Sequence, residues 1–246
     1  MSDKNSDDNT DKEDNFENMS KYQIVFIGAP CSGKTCIICQ IMENYFNEIT
    51  EPMISIDFCN KIVYFRDIKI KLLIWDTSGL FNYRTRLVYH IINSSLIFLI
   101  YDVSDKDSFD KISEWVLFIR SIRNVPMVLC GTKIDLKGRE VKREEGENLA
   151  YKEGMRFFEV SAKTGEGIKN MFYSSIADLP IFGKYNIKKD FLIKELILEN
   201  EGENEDYEIK QEKNEKHIES TKKTKEGITQ KVCRKIQEKN YRCLII

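Results

Sequence analysis

The stretch GAPCSGKT, Gly28 to Thr35, follows the apolar run YQIVFIG (22–28) and leads directly into GKTCIICQIMENYF (33–46). The run before it is short and rich in β-branched residues, which reads as a strand. The run after it places Ile37, Ile41 and Met42 at helical spacing. Strand, glycine-bounded loop and helix in this order make the pattern G-x-x-x-x-G-K-[ST] more than a chance string. Successive backbone N–H groups of such a loop cradle phosphate oxygens, Lys34 reaches the β- and γ-phosphates, and the Thr35 hydroxyl binds Mg²⁺. The positive end of the following helix adds to the anion site. The candidate nucleotide-binding residues here are Gly28, Pro30, Cys31, Ser32, Gly33, Lys34, Thr35 and Cys36.

The alternation continues outward from this loop. The runs ISIDFCNKIVYF and IKIKLLIWD flank Arg66-Asp67 and read as an antiparallel pair. LIFLIYD, PMVLCGT and RFFEV read as further strands. SFDKISEWVLFIRSI, a charged stretch near 143–153 and GIKNMFYSSIADL read as helices. Continuous apolar strands between amphipathic helices imply an α/β fold, its sheet mostly parallel and covered on both faces. Ligands of such sheets gather at the carboxyl ends of the strands, and every motif considered below falls at one of those ends.

The 246 residues allow one domain of moderate size with chain left over, and 41% hydrophobic content suffices for a core. No apolar run is long enough to span a bilayer. Met1-Ser2-Asp3-Lys4 fits neither a signal peptide nor a myristoylation site. Seven cysteines without a secretory signal suggest reduced thiols, and two histidines leave little room for a His-based metal site. Residues 1–20 hold seven acids and two lysines and are expected to be a disordered tail. Residues 195–216 are again acidic, whereas 221–242 carry eight Lys/Arg and two Glu. The expected division is therefore an acidic tail (1–20), one domain (21–180) and a tether (181–246), with a short helix near KKDFLIKELILENEGENEDYE. Cys31, Cys36 and Cys39 also have the C-x₄-C-x₂-C spacing of an iron–sulfur site. A cluster there and a phosphate in the loop exclude each other, and small buried thiols are the expectation.

Two further motifs bear on nucleotide chemistry. Asp76-Thr77-Ser78-Gly79 ends the second run of the antiparallel pair. Asp76 can hold a Mg²⁺ water, and without a Cβ the Gly79 N–H can approach a γ-phosphate. GTKIDL and EVSAKTG concern the base. Asp135 can accept from the ring N–H and exocyclic amine of guanine, a donor pair that adenine cannot present. The Lys133 stem can lie over the purine. The Ala162 N–H, within Ser161-Ala162-Lys163, can donate to the guanine carbonyl.

With these residues in view, the chain from about 20 to 180 resembles a small GTPase of the Ras superfamily and, within it, the Rab family. GKTC, IDF, KLLIWDT, YDVSDKDSF followed by Trp115, and EVSAKTG carry the resemblance. It implies a P-loop G domain with a six-stranded sheet, one strand of it antiparallel, and helices on both faces. It also implies GTP or GDP as bound nucleotide, Mg²⁺ held through Thr35 and Asp76, and Lys34 and Gly79 as catalytic groups at the γ-phosphate. Phe46 would pack edge-on against the guanine, and Thr132 stands where most relatives carry Asn. Effectors, exchange factors and activating proteins would meet the switch regions, and no nucleic-acid partner is expected.

Two departures from the Rab pattern touch the γ-phosphate. Met53 replaces the threonine that ligates Mg²⁺ in the triphosphate state, and a thioether is a poor ligand for a hard cation. Thr50 or Ser55 would substitute only with a local change of register. Leu80 replaces the glutamine that positions the attacking water and can neither donate to nor accept from it. Slow hydrolysis is the expectation. At the C-terminus, Cys243-Leu244-Ile245-Ile246 fits C-a-a-X prenylation of Cys243, with the final residue leaning toward geranylgeranyl. One lipid binds reversibly, so the basic run 222–242 would supply a second signal. The expected location is the cytoplasmic face of an intracellular membrane, in exchange with cytosol, and the expected role is in vesicle transport.

Overall fold

A computed structural model describes residues 19–48, 56–185 and 187–200 of the chain. Met53, Thr50, Ser55, residues 1–18 of the expected acidic tail 1–20, the basic run and Cys243 lie outside the described residues. So do the side chains of 81–83.

Six strands form one sheet in the order β2-β3-β1-β4-β5-β6. They are β1 (Ser20–Gly28), β2 (Asp57–Phe65), β3 (Ile68–Asp76), β4 (Leu96–Asp102), β5 (Met127–Thr132) and β6 (Arg156–Glu159). Only the β2–β3 pair is antiparallel, with Phe65 opposite Ile68 across the Arg66-Asp67 turn. Arg66 takes the left-handed conformation there (φ 51). β1 pairs in parallel with β3 on one side and β4 on the other. The connection from β1 leads to β2 on one side of it, and that from the adjacent β4 leads to β5 on the other, so a crevice opens at the carboxyl ends of these two strands, where an open α/β sheet binds its ligand.

Side chains alternate across the pleat and feed two cores, one per face. Ile24, Phe26, Ile74, Phe98, Ile100 and Cys130 pack with helices α1 (Lys34–Glu43) and α6 (Ile168–Ile176). Phe26 and Phe98 stack with centroids 4.7 Å apart. Val25, Ile27, Ile97, Leu99, Tyr101 and Leu129 pack on the other face. They meet residues of α2 (Val88–Asn93), α3 (Lys106–Asp110), α4 (Ile112–Ile122) and α5 (Arg143–Lys152). A run expected as one helix, SFDKISEWVLFIRSI, is divided at Lys111 into α3 and α4. Asp105 caps α3 by accepting from the Ser108 N–H.

The tether reading of 181–246 needs revision at its start. One compact unit of the chain ends at Ile197 and includes the segment after Pro180. Phe182 is buried and meets Phe65 edge to face at 5.4 Å, as does Tyr185 at 5.3 Å. A helix begins at 189 and buries Leu192 and Leu196 in the same core as β1 and β3. Glu195 pairs with Arg66 at 3.2 Å. The apolar i, i+4 pair Leu192/Leu196 was present in the sequence, but Phe191, Ile193 and Ile197 beside it blur any single apolar face, and nothing local named the surface that it covers.

This packing has a measurable consequence. Ending the chain after Pro180 rather than after Ile197 is expected to lower stability by about 3 kcal/mol. Burial of Phe182, Leu192 and Leu196 contributes roughly 2 kcal/mol each, and ordering the segment offsets part of that. Urea denaturation of the two truncated chains reads the difference. Coincident midpoints would show that 181–197 adds nothing to the domain.

Candidate nucleotide and cation site

The phosphate loop is held by contact with β4. A Cβ on Gly28 would fall 2.0 Å from the Ile100 carbonyl oxygen, so the strand end has no room for a side chain. The loop then turns through Cys31 (φ 59) and Gly33 (φ 90) into α1. Thr132, at the end of β5, donates through Oγ1 to the Ser32 carbonyl at 2.7 Å and ties the loop to the sheet. The departure from asparagine at this position thus leaves a polar tie in place. Lys34 is buried, and its Nζ donates to the carbonyls of Ala29 (2.7 Å) and Gly28 (3.2 Å). Burial lowers its pKa to about 8, with the nearby Asp76 carboxylate opposing the shift. This ammonium is poorly solvated, and an anion in the loop would satisfy it.

Asp76 presents the opposite deficit. Its Oδ2 accepts from the Thr35 hydroxyl at 2.6 Å, while Oδ1 is buried without a hydrogen-bond partner among the described residues. Burial raises its pKa, and the Thr35 hydroxyl and Lys34 work against that rise. A carboxylate oxygen without a partner, beside a threonine hydroxyl, fits a hard divalent cation that takes oxygen ligands and keeps several waters. Among the described residues, no group of three or more His, Cys, Asp or Glu is placed to hold a metal. Of the three cysteines expected to be small buried thiols, Cys31 is instead exposed in the loop, and Cys36 and Cys39 lie only partly buried on α1.

Beyond Asp76, Thr77 donates to the Phe26 carbonyl at 2.7 Å and anchors the turn to β1. Gly79 (φ 75) lies so close to the phosphate loop that a Cβ would sit 2.5 Å from the Gly28 oxygen and 2.7 Å from Lys34 Nζ. The glycine requirement expected of this loop is thus a matter of contact as well as of backbone conformation. Leu80 follows in extended conformation, 39% exposed, and leads into a 3₁₀ turn over Phe81–Leu87.

At the far end of the crevice, Asp135 Oδ1 accepts from the Ser161 hydroxyl at 2.6 Å. Ser161 Oγ in turn accepts from the Thr164 N–H at 3.1 Å. The Ala162 carbonyl accepts from Gln40 Nε2 at 2.6 Å, which fastens this loop to α1. Lys133 takes the left-handed conformation (φ 62), and its Nζ pairs with Asp102 at 2.7 Å. Lys163 pairs with Glu48 at 3.0 Å across the mouth.

One cleft of about 300 Å³ joins the two ends. Of the residues expected from the sequence, it is lined by Cys31, Gly33, Lys34, Thr35, Cys36, Phe46, Thr132, Lys133, Asp135, Ala162 and Lys163. Gly28, Ser32, Asp76, Gly79 and Ser161 are buried beside it, and Pro30 and Leu80 are outside its lining. The lining also includes Asn47, Glu48, Thr77, Ser78 and Leu136, which the sequence reading did not select. Thr77, Ser78 and Leu136 sit inside or next to the motifs. Asn47 and Glu48 carried no local signal, because the end of α1 brings them to the mouth only in three dimensions.

The arrangement can do two things chemically. Its phosphate end offers a buried ammonium, backbone N–H groups at a helix start and an oxygen pair suited to a hard cation. Its other end offers an acceptor-only carboxylate, a backbone N–H and an apolar stem, complementary to a guanine edge and face. The Ras family model matches residues 23–180, more than half of the chain and all six strands save the first residues of β1. The chain therefore belongs to the Ras family of small GTPases, which bind GTP and GDP.

Proposed function

We propose that this chain is a Rab-like, membrane-anchored GTP/GDP switch acting in intracellular vesicle transport, with slow intrinsic hydrolysis of GTP. The observation that carries the catalytic part is Leu80. It occupies the position next to Gly79, the residue packed on the phosphate loop and Lys34, and brings no polar atom to orient a water. Lys34 would hold the β- and γ-phosphates once an anion draws its ammonium away from the loop carbonyls. Thr35 and Asp76 would hold Mg²⁺, which when bound would neutralise charge on the phosphate oxygens. Asp135 and Ala162 would read the guanine edge, and Phe46 would flank the base. Support for the Rab assignment comes from KLLIWDT, YDVSDKDSF and EVSAKTG, and for the membrane anchor from Cys243 with the basic run 222–242.

A second reading has its own support. With Met53 at the switch threonine position as well, the protein would be a GTP-binding module with negligible hydrolysis that recruits effectors and is ended by exchange or turnover. Single-turnover GTP hydrolysis on the purified protein separates the two. Slow wild-type turnover is expected, with Leu80→Gln raising it by about 10- to 100-fold, because a water-orienting group is worth orders of magnitude in this reaction. Undetectable turnover in both proteins would favour the module. Rapid turnover by the wild type would sink the catalytic proposal.

A further inference from the structure

Asp102 does not line the cleft, yet its surroundings are built to hold one side chain that does. It ends β4, directly beside Thr132 at the end of β5, and the Val103 N–H donates to the Thr132 carbonyl at 3.1 Å. The strand ends are therefore locked in register where Lys133 begins the guanine-side loop. Asp102 Oδ1 accepts from both the N–H (2.8 Å) and the hydroxyl (2.7 Å) of Ser104. Its backbone is fixed in turn: the Asp102 N–H donates to Ser108 Oγ at 3.0 Å and the Asp105 N–H to the Asp102 carbonyl at 3.1 Å. One carboxylate oxygen is thus spoken for, and the other faces Lys133 Nζ at 2.7 Å. The carboxylate is 9% exposed, so its charge depends on that partner more than a surface charge would.

Lys133 needs holding. A non-glycine residue in the left-handed region is strained, and here the turn is closed by a single bond from the Leu136 N–H to the Lys133 carbonyl at 3.0 Å. Its long stem would otherwise sample many rotamers across the cleft. Anchoring the ammonium at Asp102 stretches the stem between two fixed points, its own Cα and the end of β4, beside Asp135 and Leu136. We infer that Asp102 is a positioning residue for the base: through the Lys133 ammonium it holds the lysine stem as a preformed platform for the guanine face. The inference rests on the guanine reading of this cleft.

The test compares a ligand that has a base with one that has none. On the full chain, Asp102→Asn keeps size and an acceptor for Ser104 but removes the charge that holds Lys133. It is expected to speed release of a fluorescent GDP analogue by about 10-fold. The affinity for inorganic pyrophosphate with Mg²⁺ should stay within about twofold, since that probe meets only the phosphate end. In a Lys133→Met background, Asp102→Asn should add less than about twofold to GDP release, because its effect passes through the lysine. Should Asp102→Asn fail to fold, Ser104→Ala, which loosens Oδ1 and leaves the charge, should show the same pattern at about threefold. Unchanged GDP release, equal loss for both ligands, or full additivity with Lys133→Met would overturn the inference. A wild type that binds pyrophosphate but no GDP would overturn the guanine reading and this inference with it.

Discussion

Replacing Asp135 by asparagine is expected to lower the affinity for GDP by about 10⁴-fold, the scale on which a site built for particular hydrogen bonds rejects a ligand that leaves them unpaired. The carboxylate is acceptor-only, and Ser161 Oγ already donates to Oδ1 at 2.6 Å. It can still accept from the ring N–H and exocyclic amine of guanine. Asparagine keeps one acceptor but turns a donor toward those donors. Xanthine carries a carbonyl where guanine carries the amine, so the same variant should bind xanthosine diphosphate better than the wild type does. Displacement titrations with the two nucleotides read both changes. Equal weakening of both would point to damage of the Ser161 loop rather than to base recognition.

The other large effect falls on folding. Gly28→Ala is expected to destabilise the protein by about 4 kcal/mol or more, beyond the ordinary range for a single substitution. The added Cβ would lie 2.0 Å from the Ile100 oxygen and 2.9 Å from its carbonyl carbon. Backbone cannot move aside as a flexible side chain would, because β4 is paired with β1 on one side and β5 on the other. Gly138, whose Cβ would meet nothing within 4 Å, is the control, and its alanine variant should stay within about 0.5 kcal/mol of the wild type. Thermal unfolding by circular dichroism compares them. A soluble Gly28→Ala protein with the wild-type melting temperature would show that the two strands can part at this point.

Much of the framework was legible because it rests on local rules. A β-branched run ending in glycine, a loop with Lys34 and Thr35, and an amphipathic helix specify one strand-loop-helix unit. The Arg66-Asp67 turn between two alternating runs specified the antiparallel pair. Asp76, Asp135 and Ala162 were legible as candidates because their motifs fall at strand ends, which is where such a sheet gathers ligands. Less legible were groups whose partners are distant in sequence. Glu48 reaches Lys163 across 115 positions, and Gln40 reaches the Ala162 carbonyl across 122. Asp102 reads in the sequence only as the end of a strand, and the fold adds Ser104 and Lys133 on its two oxygens.

The sequence by itself determined the order of strands and helices, the phosphate loop, the guanine-side motifs and the substitution at Leu80. These depend on periodicity and on residue type at short spacing, which a linear chain expresses directly. Tertiary structure alone decided that 181–197 belongs to the domain, that Lys34 and Asp76 are each buried with their charge incompletely satisfied, and that Asp102 holds Lys133. Burial and ion pairing are properties of what surrounds a group, and those surroundings come from strands and helices far along the chain.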